Sequence, residues 1–248
     1  MTRISVELVP RDVEVLKEEV KIIKEKLSDV DFINIPDLLS CDTRSWDGAN
    51  IAKAYFDDVV PHLRAMDFDF TKELPIKDKL REYNIKEVLV IEGDPPQSML
   101  YQVYPTISTD IIKKFSEEMP EITVYAGIDQ YRSSMKEEEY RIRRKQLAGA
   151  KGFFTQPFFD MRYLEMYADL LDGLDIYWGV SPVLSERSVS YWRNKNNVIF
   201  PKDFEATLEW NIEFARKVID FARKHNHNVY LMPIKAKIMP YLEGVFAK

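Results

Sequence analysis

Ile4-Ser5-Val6-Glu7-Leu8-Val9-Pro10-Arg11-Asp12 is the stretch on which the reading of this chain turns: an extended apolar segment that runs, without a glycine, into the helical pattern of residues 13–27. Within it Ile4, Val6 and Leu8 fall on one face and Ser5 and Glu7 on the other, the alternation of a strand. In the residues that follow, apolar side chains recur at i, i+3, i+4 and i+7 with charge opposite, the stripe of a helix packed on a sheet. Strand then helix is one βα unit. An open, doubly wound sheet commonly carries a glycine-rich phosphate loop at this first turn, and Val9-Pro10-Arg11-Asp12 is not one. The chain has eight glycines in all, and neither a Walker loop nor a GxGxxG fingerprint occurs in it.

Outward from this unit, extended segments recur at 4–9, 32–36, 59–66, 87–91, 122–127, 152–156, 175–180 and 228–233, with helical stretches between them. Successive starts lie mostly about thirty residues apart, room for a strand, a short helix and two loops. Eight such units predict a closed (β/α)8 barrel, one domain over residues 1–248. A helix is expected over 204–224, an extra one over 185–193, and helix caps at Ser108 or Thr109 and at Asp203. No internal repeat, low-complexity tract or Gly/Ser linker marks a boundary.

Composition removes several classes of function. A formal net charge of −6 disfavours phosphate-backbone binding, so no nucleic-acid partner is expected. The longest apolar runs fall short of the ~18 residues of a membrane span, so no membrane partner is expected either. The opening residues lack the pattern of a signal peptide, and the lone Cys41 rules out an internal disulfide; the expected location is the cytoplasm. One basic run, Arg141-Ile142-Arg143-Arg144-Lys145, follows Glu137-Glu138-Glu139 at helical spacing and reads on its own as a solvated face with i,i+4 ion pairs.

Barrel enzymes carry their reactive groups at the carboxyl ends of the strands. The segments deliver there Glu7, then Asp37, His62 and Arg64, Glu92 and Asp94, Tyr125 and Asp129, Gln156, Ser181 and Lys235. Glu7 is the most informative. With the apolar face of its strand toward the helices it points into the barrel, where burial raises its pKa and suits it to general-acid chemistry near neutrality; a buried ion pair with Arg64 or Lys235 is the other reading. Asp94 ends a buried strand at a sharp Gly-Asp-Pro-Pro turn. Gln156, set among aromatic residues, has the donor and acceptor edges to read a flat heterocycle, or to satisfy a core. His62 with Glu7, Asp37 and Asp94 is too poor in histidine for a metal centre, since His225 and His227 fall before the eighth segment, at its wrong end; no metal is expected.

These motifs resemble the methylenetetrahydrofolate reductase family. Ile4-Ser5-Val6-Glu7-Leu8-Val9-Pro10 is similar to its opening strand, Pro61-His62-Leu63 to its third, Glu92-Gly93-Asp94-Pro95-Pro96 to its Gly-Asp turn, and Ala148-Gly149-Ala150 through Thr155-Gln156-Pro157-Phe158-Phe159-Asp160 to its sixth unit. The resemblance implies reduction of 5,10-methylenetetrahydrofolate, or a related pterin, to the 5-methyl form, with FAD carrying hydride from NADH or NADPH. It implies Glu7 as general acid and Asp94 as a pterin and flavin contact, with Gln156, Trp192 and Lys235 on the folate and His62, Tyr125, Glu138, Arg144 and Lys145 on the flavin. The chain departs from the family where Pro36 replaces a flavin-binding threonine, Glu92 an arginine and Asp129 a histidine. The alternatives are a flavin-free barrel, reducing its substrate directly from a nicotinamide or passing the N5 methyl group to a corrinoid protein, and a noncatalytic folate-binding subunit. A homo-oligomer is compatible with each.

Overall fold

The computed structural model describes residues 2–96, 98, 100–234 and 237–247. Its eight strands are β1 (Ile4–Glu7), β2 (Phe32–Ile35), β3 (Val59–Arg64), β4 (Glu87–Ile91), β5 (Thr123–Ile128), β6 (Gly152–Pro157), β7 (Ile176–Val180) and β8 (Asn228–Leu231). Each is hydrogen-bonded in parallel to its sequence neighbour, and β8 returns to β1 to close the barrel. The helices are α1 (Val13–Lys26), α2 (Ser45–Ala52), α3 (Lys77–Glu82), α4 (Ser108–Glu118), α5 (Met135–Ala148), α6 (Met161–Leu170), α7 (Glu186–Lys195), α8 (Leu208–His225) and α9 (Ile238–Phe246). None of the described helices is long and apolar enough to cross a membrane.

The first unit shows why these residues form these elements. Ile4, Val6 and Leu8 join Leu16, Val20 and Ile23 of α1 in the apolar layer between strands and helices. Asp12 starts α1 by accepting the backbone N–H groups of Glu14 and Val15 (2.9 and 3.0 Å), and Lys24 and Lys26 complement the dipole at its end. The inward alternation of the strands fills the barrel with Phe32, Val60, Leu89, Tyr125, Phe154, Tyr177, Tyr230 and Met232. Phe154 and Tyr177 stack with centroids 4.1 Å apart, and Phe32 meets both edge-on.

Two predicted starts move. α8 begins at Leu208 rather than 204, because Thr207 and not Asp203 caps it, accepting from the N–H of Trp210 at 3.2 Å. The residues before it are held in a small core where Phe159 packs on Phe200 and Phe204. Ser108 is the first residue of α4 rather than its cap, and its N–H and hydroxyl are taken by Glu92.

Candidate active site at the barrel mouth

Glu7 is the last residue of β1 and lies inside the barrel wall, 8% exposed. One carboxylate oxygen accepts a hydrogen bond from the Tyr230 hydroxyl on β8, the strand beside it. Among the described residues no cation, Arg64 included, pairs with it, and its partner there is the Tyr230 phenol; Lys235, the other cation of the ion-pair reading, lies outside them. Burial raises the Glu7 pKa to about 7, against a smaller lowering by the Tyr230 bond. On β2, directly opposite Glu7 in register, sits Asn34, fully buried. Its Oδ1 lies 3.4 Å from His62 Nε2, and its Nδ2 has no hydrogen-bond partner. His62 is held neutral, burial taking its pKa down to about 3. The mouth therefore presents a weak acid, a neutral imidazole and an amide donor at one level, and opposite β1 the interior position Gly127 carries no side chain.

Around this layer the loops are tied by charge. Arg44 forks onto Asp37 at 2.9 and 2.5 Å and reaches Asp67 at 2.9 Å, and Asp67 accepts from Arg64 Nε at 3.3 Å. Arg64 Nη2 then donates to the backbone carbonyl of Asp94 at 2.8 Å. Gly93 makes this approach possible: its φ is +87°, and a Cβ there would meet the Arg64 Cβ at 3.1 Å. The turn is pinned by its backbone, which leaves the Asp94 side chain exposed. Gln156 is exposed at the end of β6, its carbonyl anchored by Gln130 Nε2 at 2.7 Å. The Ser181 hydroxyl is spent on the carbonyl of Met232 at 2.8 Å. Glu7, His62, Asp94 and Gln156 thus gather at the carboxyl ends of their strands, while Lys235 lies outside the described residues.

Other anticipated contacts are placed elsewhere. The Tyr125 hydroxyl points to the opposite end of the barrel, bonded to Glu87 at 3.0 Å and to Arg3 at 3.3 Å, so it cannot reach the mouth. Trp192, 9% exposed, packs edge-on against Phe159 in a small core with Val183, Val189 and Val198. Arg144 lies exposed on α5 over the Tyr140 ring. The buried residues of that helix are Glu138 and Ile142, and Lys145 follows them at i, i+4 and i+7, a periodicity that leaves Arg144 outside. Glu138 accepts from the Asp129 N–H at 3.2 Å, and its other oxygen, buried, has no hydrogen bond. Lys145 donates to the Gly127 carbonyl at 2.6 Å, and burial lowers its pKa. Among the described residues no three His, Cys, Asp or Glu side chains gather as a metal site.

No protein-family model matches the chain. Among curated proteins, the 5,10-methylenetetrahydrofolate reductase of Buchnera aphidicola subsp. Schizaphis graminum is 22% identical over 147 residues, 57% of this chain and 50% of that protein. The chain resembles a methylenetetrahydrofolate reductase. The match spans only half of that relative's length. Among solved structures, a Clostridium thermocellum protein that binds two copies of 5-methyl-5,6,7,8-tetrahydrofolic acid has a TM-score of 0.65 at 13% identity, covering 98% of this chain and 94% of its own. A 2,3-dimethylmalate lyase has a TM-score of 0.60 at 10% identity over 95% and 75%, and an oxaloacetate acetylhydrolase 0.60 at 8% over 96% and 77%. At such identities the structures share the barrel fold.

The methylenetetrahydrofolate reductase resemblance implies FAD, whose diphosphate needs free cations or an open helix N-terminus. Here Lys145 is engaged by a backbone carbonyl, Arg144 faces outward, the Tyr125 hydroxyl points to the far end of the barrel, and Trp192 is packed in a small core. At the N-terminus of α4 the carboxylate of Glu92 already binds the N–H and hydroxyl of Ser108, at 3.1 and 2.7 Å. The chain's own anion occupies that seat, and the residues present do not fit a flavin diphosphate there.

Proposed function

We propose that the mouth of the barrel binds a reduced folate by its pterin ring and that the protein reduces 5,10-methylenetetrahydrofolate, or a related pterin, to the 5-methyl form with Glu7 as general acid. The observation that carries this reading is the buried Glu7 carboxyl at the mouth, with a pKa of about 7. In the step assigned to it, Glu7 gives its proton to N10 as the bond from N10 to the bridging carbon breaks. The electron pair of N5 forms an iminium with that carbon. Hydride from a reduced nicotinamide then closes it to the N5 methyl group, and the nicotinamide leaves oxidised. One proton and one hydride enter the folate, and no flavin step is needed. Asn34 and Gln156 supply the amide edges for the pterin, and neutral His62 keeps positive charge away from the developing iminium.

A second reading, transfer of the N5 methyl group to a corrinoid protein, is favoured by the engagement of the flavin-side residues elsewhere and by the methyltetrahydrofolate bound to the Clostridium thermocellum neighbour. One set of measurements separates the readings: the absorption spectrum with and without added FAD, folate binding by tryptophan fluorescence, and oxidation of NADH or NADPH on adding methylenetetrahydrofolate. Nicotinamide oxidation by colourless protein supports direct reduction. Binding of methyltetrahydrofolate without nicotinamide oxidation supports methyl transfer, and no folate binding overturns both. A Glu7→Gln variant is expected to keep its folate affinity and lose turnover by about 100-fold or more, the usual weight of a general acid. Equal turnover by this variant would remove Glu7 from the mechanism.

A further inference from the structure

We propose that Tyr230 is a positioning residue for Glu7: its hydroxyl holds one carboxylate oxygen in both protonation states and leaves the other to meet the substrate. The role in turnover rests on the folate reading, but the pairing itself is tested without it. The Tyr230 ring is fixed by edge contacts with Phe154 (centroids 5.2 Å) and His62 (6.2 Å), so its hydroxyl has one direction to point. That direction ends on Glu7 Oε2, and Tyr230 is 4% exposed. Glu7 Oε1 has no protein partner among the described residues. When Glu7 is ionised the phenol donates to Oε2; when Glu7 is protonated at Oε1, Oε2 still accepts the same bond. The acid can therefore lose and regain its proton without turning.

Every element packed around the carboxyl agrees with a two-member unit. β2 contributes the neutral amide of Asn34 and β8 the Tyr230 phenol. β3 contributes His62, neutral above the acid range, and Arg64, which is committed to Asp67 and the Asp94 carbonyl. Ser5, on the same face of β1, is neutral. Among the described residues Tyr230 is thus the one hydrogen-bonding counterweight to burial at Glu7.

The test is the titration of the Glu7 carboxyl in the free protein, followed by carbon-13 NMR of labelled glutamate and assigned with Glu7→Gln. In Tyr230→Phe the midpoint should rise by about one pH unit, the difference between a hydrogen bond to the charged carboxylate and the same bond to its neutral form. An unmoved midpoint overturns the proposal. The unaltered protein gives a second reading that needs no variant to fold: the ring-carbon resonance of Tyr230 should titrate with the same midpoint as Glu7, and independent behaviour overturns the pairing. In turnover, Tyr230→Phe should lower kcat with KM for folate little changed and move the alkaline limb of the pH profile upward. A merely structural tyrosine would lower activity without moving that limb.

Discussion

Burial moves the Glu7 and His62 pKa values in opposite directions, and their effects on stability oppose each other. Glu7 goes from 4.5 in the open chain to about 7 in the fold, so its contribution is fully present below pH 4.5 and is lost as pH rises through 7. His62 goes from 6.5 to about 3, so its contribution is present above pH 6.5 and is lost as pH falls through 3. Between 4.5 and 6.5 the two slopes cancel, and the pair predicts a plateau. In urea unfolding across pH, His62→Gln should replace the plateau with stability that falls from pH 4.5 to 7. Glu7→Gln should unfold at higher urea than the natural protein at pH 8, by up to about 3 kcal/mol, and show no such gain at pH 4.5. A flat profile in the His62 variant would mean that Glu7 is not desolvated. The inward position of Glu7 was legible from the alternation Ile4-Ser5-Val6-Glu7-Leu8. Tyr230 and Asn34 were not: each reads locally as an ordinary strand residue, and only the parallel pairing of β1 with β8 and β2 sets them beside Glu7.

At the scale of elements, the rim is organised by side chains that satisfy backbone groups at loop and helix ends. Glu92 closes the N-terminus of α4, and Arg64 holds the turn after β4 by the Asp94 carbonyl. Glu92→Ala should lower stability by about 1 kcal/mol in urea unfolding, the worth of a helix cap. The same variant, its anion gone, should still take up no flavin in a dialysis experiment, because Lys145 remains engaged and Arg144 faces outward. Flavin retained by Glu92→Ala would show that this one carboxylate is the barrier. From the sequence Glu92 reads as a reversed charge, and its use as a cap emerges only when β4 delivers it onto Ser108, sixteen residues on. The start of α8 has the same character. Asp203 and Thr207 are both good caps by type, and the packing of Phe200 and Phe204 on Phe159 decides between them.

For the molecule as a whole, closure of the barrel creates a feature no single segment contains. Arg3, just before β1, lies beneath the ring of strands, donating to Glu87, Tyr125, Tyr177 and Asp58 at 3.1 to 3.3 Å and standing 4.4 Å from the centre of the Phe32 ring. Arg3→Met should cost about 2 kcal/mol, because the buried hydroxyls and the Glu87 carboxylate lose their shared donor. Restoration by adding Glu87→Met would show that the stranded carboxylate carries much of that loss. The number and order of strands were readable because each βα unit announces itself by period. The floor was not, since Arg3 and Glu87 are 84 residues apart and meet only in a closed ring.

With rings packing the barrel interior above it, that floor leaves the mouth as the approach to Glu7. Two substrates that share one approach either meet there or follow one another. A reductase that passes hydride directly between them must hold donor and acceptor together at the mouth. Initial-rate plots against the two substrates should then intersect; parallel lines would mean that the hydride waits on something else between visits.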